Sequence, residues 1–216
     1  MRKIYFTLAL LLPILASAQG NVKFGFNAGA TLSDIRGDDQ LDVYKHAVDY
    51  LVGLSLELPL NDNLSVFTNV NYERKSVVQK IHFEQSPDFD PVINPNNLGE
   101  VNLRLTLQYI SIPVNLKYYI GSKKTFYVHG GPYAAIFIDD KFKFDGDEIS
   151  ELSGGSDFKT LDLGFTLGAG AQIKLSPKHN LSIGIRDNFG FANVSKMNYD
   201  IRTNALNLVV TFESIL

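Results

Sequence analysis

The longest run of strand-forming residues is Val101 to Ile120, VNLRLTLQYISIPVNLKYYI. Val101, Leu103, Leu105, Leu107 and Tyr109 share one face, opposite Asn102, Arg104, Thr106 and Gln108. Beyond Tyr109 the phase reverses: Ile110, Ile112, Val114, Leu116, Tyr118 and Ile120 are apolar, against Ser111, Asn115 and Lys117. A period of two means a strand with one apolar and one polar face. The reversal predicts a β-bulge near Tyr109–Ile110, or a change in what the strand faces. At roughly 3.3 Å per residue such a strand is about 65 Å long. A tilted strand crosses a bilayer in about 9–11 residues. Ile110 to Ile120, ending at the Gly121 turn, is therefore long enough to cross, and Val101 to Tyr109 is expected to project beyond it beside a long loop. Pro113 has no N–H to give a neighbour, so a local break in pairing is expected there.

Similar alternation runs along the rest of the chain. Val22, Phe24, Phe26, Ala28, Ala30 and Leu32 oppose Lys23, Gly25, Asn27, Gly29 and Thr31. Val48, Tyr50, Val52, Leu54, Leu56 and Leu58 oppose Asp49, Gly53, Ser55 and Glu57, and Leu64, Val66, Val70 and Tyr72 oppose Ser65, Asn69, Asn71 and Glu73. Phe67 and Thr68 fall on unexpected faces of that strand. Thr125 to Phe144 alternates weakly. Lys159 to Leu175 is the cleanest strand, followed by Leu181 to Phe191 and Leu206 to Phe212. That makes eight strands and no amphipathic helix. Short turns fall near 59–63, 120–124 and 176–180, and longer loops near 34–46, 76–100, 145–157 and 193–200. With antiparallel strands the short turns share one end with both termini. This segregation predicts an all-β, eight-stranded antiparallel up-and-down transmembrane β-barrel.

The composition of the two faces agrees. The polar faces are rich in Gly, Ser, Thr and Asn, with few Lys or Glu, unlike a solvated surface. Such residues suit the filled interior of a narrow barrel. The Leu/Val/Phe face would then meet lipid, where only helices and closed barrels satisfy their backbone. Tyr50, Tyr72, Tyr109, Tyr118, Tyr119, Tyr133, Phe189 and Phe212 are expected to supply aromatic girdles. The net charge of −3 gives no basic surplus for nucleic acid, and the absence of cysteine removes disulfides and thiol chemistry. Arg2 and Lys3, an apolar core from Ile4 to Leu15, and Ala16-Ser17-Ala18 form a signal peptide with its cleavage site. Residues 1–18 are thus expected to be removed, leaving a barrel domain over 19–216 in the outer membrane with its termini in the periplasm.

Three segments, YISIPVNLKYY (Tyr109–Tyr119), FYVHGGPYAAI (Phe126–Ile136) and LDLGFTLGAGAQI (Leu161–Ile173), resemble the PorT-like outer-membrane β-barrel domain family. The resemblance extends over residues 20–216 and implies an eight-stranded barrel in a Gram-negative outer membrane. Its motifs say little about activity. The family's named member is linked to protein secretion, a role that a shared barrel does not transfer. One departure is the C-terminus: the chain ends Glu213-Ser214-Ile215-Leu216, with Phe212 four residues before the end instead of a terminal aromatic.

The candidate chemistry lies inside the barrel. Lys23, Glu57, Glu73, Arg104, Asp162, Lys174 and Arg186 are the charges expected to face inward. Both signs are present, and buried charges must be paired, so an internal salt-bridge network closing the lumen is expected. The rival is a gated pore, a small porin or transporter for ions or small solutes. His46, His82, His129 and His179 show no spacing to a nucleophile, and His129 is expected to pack inside. His82 with Asp139-Asp140 is the one combination that could meet at the external rim. No enzyme activity, cofactor or metal site is expected. The acidic loops (Asp34, Asp38, Asp39 and Asp42; Asp139, Asp140, Asp145, Asp147, Glu148, Glu151 and Asp157) fit solvated surfaces, with divalent cations bridging to lipopolysaccharide as the alternative. Gly154-Gly155 precedes no helix and is no phosphate cradle. The expected partners are outer-membrane lipid and lipopolysaccharide, with secretion or assembly proteins at the loops. The barrel is expected to be a monomer.

Overall fold

The computed structural model describes residues 22–38, 41, 43–82, 100–144, 147–148 and 157–216. The expected signal peptide, Asp39, Asp42, Asp145, Glu151 and Gly154-Gly155 lie outside the described residues, as does the loop 83–99. The strands are β1 (Lys23–Gly37), β2 (Tyr44–Pro59), β3 (Leu64–His82), β4 (Glu100–Ile120), β5 (Phe126–Phe144), β6 (Asp147–Glu148), β7 (Leu161–Lys174), β8 (His179–Gly190) and β9 (Ile201–Ile215). β6 is a two-residue stub paired only with the end of β5. The other eight close a ring of antiparallel neighbours in the order β4-β3-β2-β1-β9-β8-β7-β5, with β5 returning to β4. β1 and β9 complete the wall in register from Lys23↔Ile215 to Gly37↔Ile201, and the Leu216 N–H donates to the Val22 carbonyl at 2.9 Å.

The three tight turns sit at the end that carries Val22 and Leu216. In one, Asn61 Oδ1 accepts from the N–H groups of Asn63 (3.0 Å) and Leu64 (2.9 Å). In another, Ser176 Oγ accepts from those of Lys178 (3.3 Å) and His179 (3.1 Å). Short side chains thus stand in for the backbone partners that a four-residue connection lacks. The third, after Gly121 (φ 73°), ends with Lys124 donating to the Gly121 carbonyl at 3.2 Å.

Every strand turns an apolar face outward through the turn-end half of the wall. Phe26, Val52, Val70, Leu116, Val128, Leu167, Ile183 and Leu208 are exposed, while Asn27, Ser55, Asn71, Asn115, His129, Thr166, Ser182 and Asn207 are buried. On β4 the odd-numbered residues point inward along the whole described strand: Leu105, Leu107, Tyr109, Ser111, Pro113, Asn115, Lys117 and Tyr119 are all buried. The reversal of the sequence pattern at Tyr109 is therefore a change of surroundings on both faces, and β4 itself carries no bulge. The bulge is on the neighbouring strand. Pairing passes from Gln108↔Asp139 to Tyr109↔Phe137, which makes Ile138 the extra residue of β5. Pro113 does sit at a break in the ladder, which jumps from Thr68↔Val114 to Asn71↔Ser111. The Thr68 hydroxyl donates to the Pro113 carbonyl at 2.8 Å and ties the strands there. This places Thr68 outward and accounts for Phe67 facing the lumen.

At the loop end the inside becomes apolar. Leu41, Val77, Leu105, Leu107, Tyr109, Tyr133, Ala135 and Ile201 pack with Phe158 and Val194, which reach in from the loops. Lys159 donates to the Val194 carbonyl and Val194 to that of Ile201, both at 2.7 Å, which holds the two loop segments on the plug. Burial, with the Tyr199 phenol nearby, raises the Tyr44 phenol above its ordinary range, so it stays neutral against the plug. The aromatic girdle is smaller than expected. Tyr50, Tyr72, Tyr118, Phe189 and Phe212 face outward, but Tyr109, Tyr119 and Tyr133 are buried in the lumen.

The glycines of β7 have a specific partner. Tyr127, His129 and Tyr133 on β5 lie directly opposite Gly170, Gly168 and Gly164. A Cβ on Gly170 would run into the Tyr127 hydroxyl, on Gly168 into the His129 ring, and on Gly164 into the Tyr133 ring. Large rings from one strand thus lie over bare backbone of the next, which lets a narrow ring hold them. Gly164→Leu should destabilise the folded barrel by about 1–3 kcal/mol, the usual cost of overpacking. Urea unfolding in lipid vesicles measures this, and Tyr133→Ala in the same chain should recover part of the loss.

Candidate functional site

The lumen is polar in three tiers between the tight turns and the apolar plug. The lowest tier centres on Glu57 of β2. Its carboxylate accepts from Lys23 Nζ (2.9 Å), Lys117 Nζ (2.7 Å) and the Ser65 hydroxyl (3.0 Å). The Tyr119 hydroxyl lies 2.8 Å from Glu57 Oε1 and 2.9 Å from Gln172 Oε1. Lys117, 1% exposed, also lies 3.6 Å from Glu213. Its ammonium is boxed by the rings of Tyr127 (4.3 Å), Phe67 (4.7 Å) and Tyr119 (5.0 Å). The negative ring faces add to the carboxylates in holding a cation that water does not reach.

The middle tier is mostly amides. Glu73 accepts from Asn207 Nδ2 (3.0 Å) and Asn188 Nδ2 (3.2 Å). Asn207 in turn accepts from Thr31, and Asn188 from Thr166. Arg186 Nη1 donates to Asn69 Oδ1 at 2.8 Å, and Asn27 donates to Asn71 at 3.0 Å. His129 sits edge-on to Phe67, with ring centroids 5.9 Å apart. Arg186 Nε and Nη2 and Asn69 Nδ2 have no protein partner. They adjoin a space of about 20 Å³, room for about one water to serve them.

The upper tier is one buried ion pair. Lys75 donates to Asp162 Oδ2 (2.9 Å) and to the Thr203 hydroxyl (2.8 Å), and Thr203 donates to the same Asp162 oxygen at 2.6 Å. The Tyr109 and Tyr133 rings lie 5.0 and 5.2 Å from the ammonium. Above this pair the plug begins, beside a void of only about 10 Å³. A larger space lies at the turn end, an open vestibule of about 610 Å³ that reaches Lys23, Glu57 and Tyr119.

Of the charges expected inside, Lys23, Glu57, Glu73, Asp162 and Arg186 point into the lumen. Two do not. Arg104 lies on the outer wall, where it donates to Asp49 Oδ2 (3.0 Å) and the Val48 carbonyl (2.7 Å). It belongs to the part of β4 whose outward face is the polar one. Lys174 is exposed at the rim of the vestibule. Among the described residues, inward charges not singled out for the lumen are Lys75, Lys117 and Glu213, and also Asp140, which turns inward beside Leu107. Lys117 and Glu213 stand in step with the polar positions of their strands, Ser111 and Asn115 for one, Asn207 and Thr211 for the other. Lys75 continues Asn69, Asn71 and Glu73, just before the alternation fades.

The His82 side chain lies outside the described residues. Asp139 and Asp140 are split between the two sides of the wall, since Asp140 pairs with inward Leu107 and Asp139 with outward Gln108. His46 is exposed, 4.0 Å from Asp34. Among the described residues no group of His and carboxylates is placed to hold a metal ion.

A closed antiparallel ring, apolar outside and polar within, defines a transmembrane β-barrel. The outer membrane protein beta-barrel domain family matches residues 17–196, so the chain belongs to that family, and its place is the cell outer membrane. A search of curated proteins found no match. Among solved structures, the outer membrane protein W of E. coli is similar at 16% identity, covering 92% of this chain and 100% of that one, with a TM-score of 0.48. Neisserial surface protein A (14% identity, 87% and 95% covered, TM-score 0.45) and OprG from Pseudomonas aeruginosa (15%, 91% and 96%, 0.44) are also similar.

The lowest tier is the most exacting. Glu57→Gln leaves Lys23 and Lys117 around a neutral amide, and breaking a buried pair costs about 3–5 kcal/mol. It should lower the urea midpoint of the folded barrel far more than Lys174→Gln, whose side chain is exposed at the vestibule rim.

Proposed function

We propose that the protein is a sealed, non-enzymatic outer-membrane barrel that works through its loop-end surface and not through its lumen. The observation that carries this is the stacked closure of the interior. The Glu57 tier, the amide tier, the Lys75–Asp162 pair and the apolar plug succeed one another along the axis. The spaces beside the upper two tiers hold only about 20 and 10 Å³. The apolar plug, with Leu41, Val77, Leu105, Leu107 and Phe158 among its side chains, is an added barrier to any hydrated ion, because these groups do not replace the ion's water.

In this proposal the chain is a PorT-like member of its family, exported through a signal peptide at residues 1–18. The tight turns and termini lie in the periplasm and the loop end faces outward. It acts as a monomer that recognises partners, or as a structural, assembly or secretion-associated component. Outer-membrane lipid and lipopolysaccharide surround it, and secretion or assembly proteins are the partners to seek. The small-porin alternative has the vestibule of about 610 Å³ in its favour. That space is floored by Lys23, Glu57 and Tyr119, which bond one another at 2.8–2.9 Å.

Two measurements test this. In planar bilayers the refolded protein should show no openings above leak; regular unitary steps would favour the porin. The chain contains no cysteine, so single introduced cysteines report orientation cleanly. On intact cells an impermeant maleimide should label Asp157→Cys at the loop end and spare Asp62→Cys at a tight turn.

A further inference from the structure

The outer wall above the apolar belt is not uniform. On β3, β4 and β5 the change from apolar to polar occurs at one level. The outward row Tyr72, Ile110 and Ile136 is in register, and the next outward row is Arg74, Gln108 and Asp139. Above that come Thr106 beside Lys141, then Lys45, Val78, Arg104 and Lys143 across four strands, then Lys80 beside Asn102. Six bases therefore share one sector of the wall. Among the described residues the acids on it are Asp49 and Asp139, with the position of Glu100 at its upper rim and that of Glu148 directly opposite Lys143.

The arrangement is costly on its own. Arg104 and Lys143 are direct cross-strand neighbours, and like charges in such pairs destabilise a sheet. Asp49 is already committed: Arg74 Nε lies 3.2 Å from one of its oxygens and Arg104 Nη2 3.0 Å from the other. It fixes two guanidiniums side by side, and at the described positions of the sector the bases outnumber the acids. Below them Tyr50 and Tyr72 pack at 6.2 Å, and the Arg74 guanidinium stands 5.2 Å from the Tyr50 ring. Such tyrosines mark the headgroup level. With a strand tilted by about 40°, Arg74 stands ~5 Å and Lys141 ~10 Å above the apolar boundary. That is the depth at which lipid phosphates lie, and long basic side chains can bend down to it. The opposite wall differs. There Arg36 donates to the Gly190 carbonyl at 2.7 Å, 3.8 Å above the Phe189 ring, and Arg202 pairs with Asp200.

We propose that this β2–β5 sector is a binding surface for the phosphates of a phosphorylated glycolipid of the surrounding leaflet. Arg74 and Arg104 act as forks, and Lys141 and Lys143 as point charges. Arginine forks match phosphate oxygens in pairs, while lysines add charge without a fixed angle. The proposal rests on the orientation given above, in which the loop end faces the lipopolysaccharide leaflet.

The test uses the full refolded barrel in detergent, with bis-phosphorylated lipid A and its dephosphorylated form as probes. Binding is read by native mass spectrometry. The wild-type barrel should retain lipid A and not the dephosphorylated lipid. Arg104→Gln/Lys141→Gln/Lys143→Gln should lose at least about tenfold in affinity, the scale of two or more charge-assisted contacts. Arg36→Gln/Arg202→Gln on the opposite wall should bind as wild type. Heat-modifiable gel mobility certifies each variant as folded. If the triple variant fails it, Lys141→Gln alone should still weaken binding about threefold. Equal retention by the folded variants, or equal binding of both lipids, overturns the proposal. Displacement of lipid A by millimolar inorganic phosphate would assign the sector to free phosphate and overturn the lipid source. This binding does not depend on how the barrel is inserted in cells, so a reversed cysteine-labelling pattern would overturn the orientation alone.

Discussion

Hydrocarbon offers the backbone no hydrogen-bond partners, and the rest of the structure follows from that. Every strand must pair on both sides, so the wall closes, and β1 must meet β9 over its full length, from Lys23↔Ile215 to Gly37↔Ile201. The outward residues then have to be apolar, which leaves the inward ones as the place for polar groups. An eight-stranded ring is too narrow for a water column around large side chains, so those polar groups must satisfy one another. Glu57 with Lys23, Lys117, Ser65 and Tyr119 is the direct result.

The same constraint explains why β4 changes character while its backbone does not. Below Tyr109 the outward side chains face lipid and the inward ones are Ser111, Asn115 and Lys117. From Tyr109 upward the outside is polar and the inside is Leu105 and Leu107. The upper wall is organised like a soluble barrel, with its own apolar core, stacked on a membrane barrel that is inverted relative to it. The extra residue Ile138 on β5 sits at this junction and swaps that strand's faces, so that Asp140 and Phe142 follow Phe137 inward. β4 changes residue type at the junction and β5 changes phase. Both reach the same inside and outside.

Much of this was legible in the sequence, because alternation reports which residues share a face whatever the face meets. Strand count, turn ends and most lumen charges follow from period two alone. The sign of the face above the membrane does not, since an apolar row reads the same against lipid or in a plug. That ambiguity placed Arg104 inside, and Tyr109 on the girdle. Tyr119 and Tyr133 were misplaced for a related reason: a tyrosine suits either the interface or a polar lumen. Only the register, with Tyr133 over Gly164, shows why the ring fits inside. The glycines of LDLGFTLGAGAQI and the aromatics of FYVHGGPY are two halves of one packing rule, invisible when each strand is taken alone. Lys75 was missed because its tier lies at the boundary, where alternation fades as the surroundings change.

A sealed lumen and a rigid upper wall bear on each other. The plug that closes the axis is built partly from loop residues, Phe158 and Val194, bonded to each other's segments and to Ile201. Loops anchored in a core lose less conformational entropy on meeting a partner than loops that hang free. A conducting barrel would have to give up that anchor, because its opening would remove the surface on which these side chains pack. The interior closure and the loop-end platform are therefore one device. The core that packs the loop end also holds Phe158 and Val194, and with them the loop segments at 157–160 and 191–200, in a fixed arrangement.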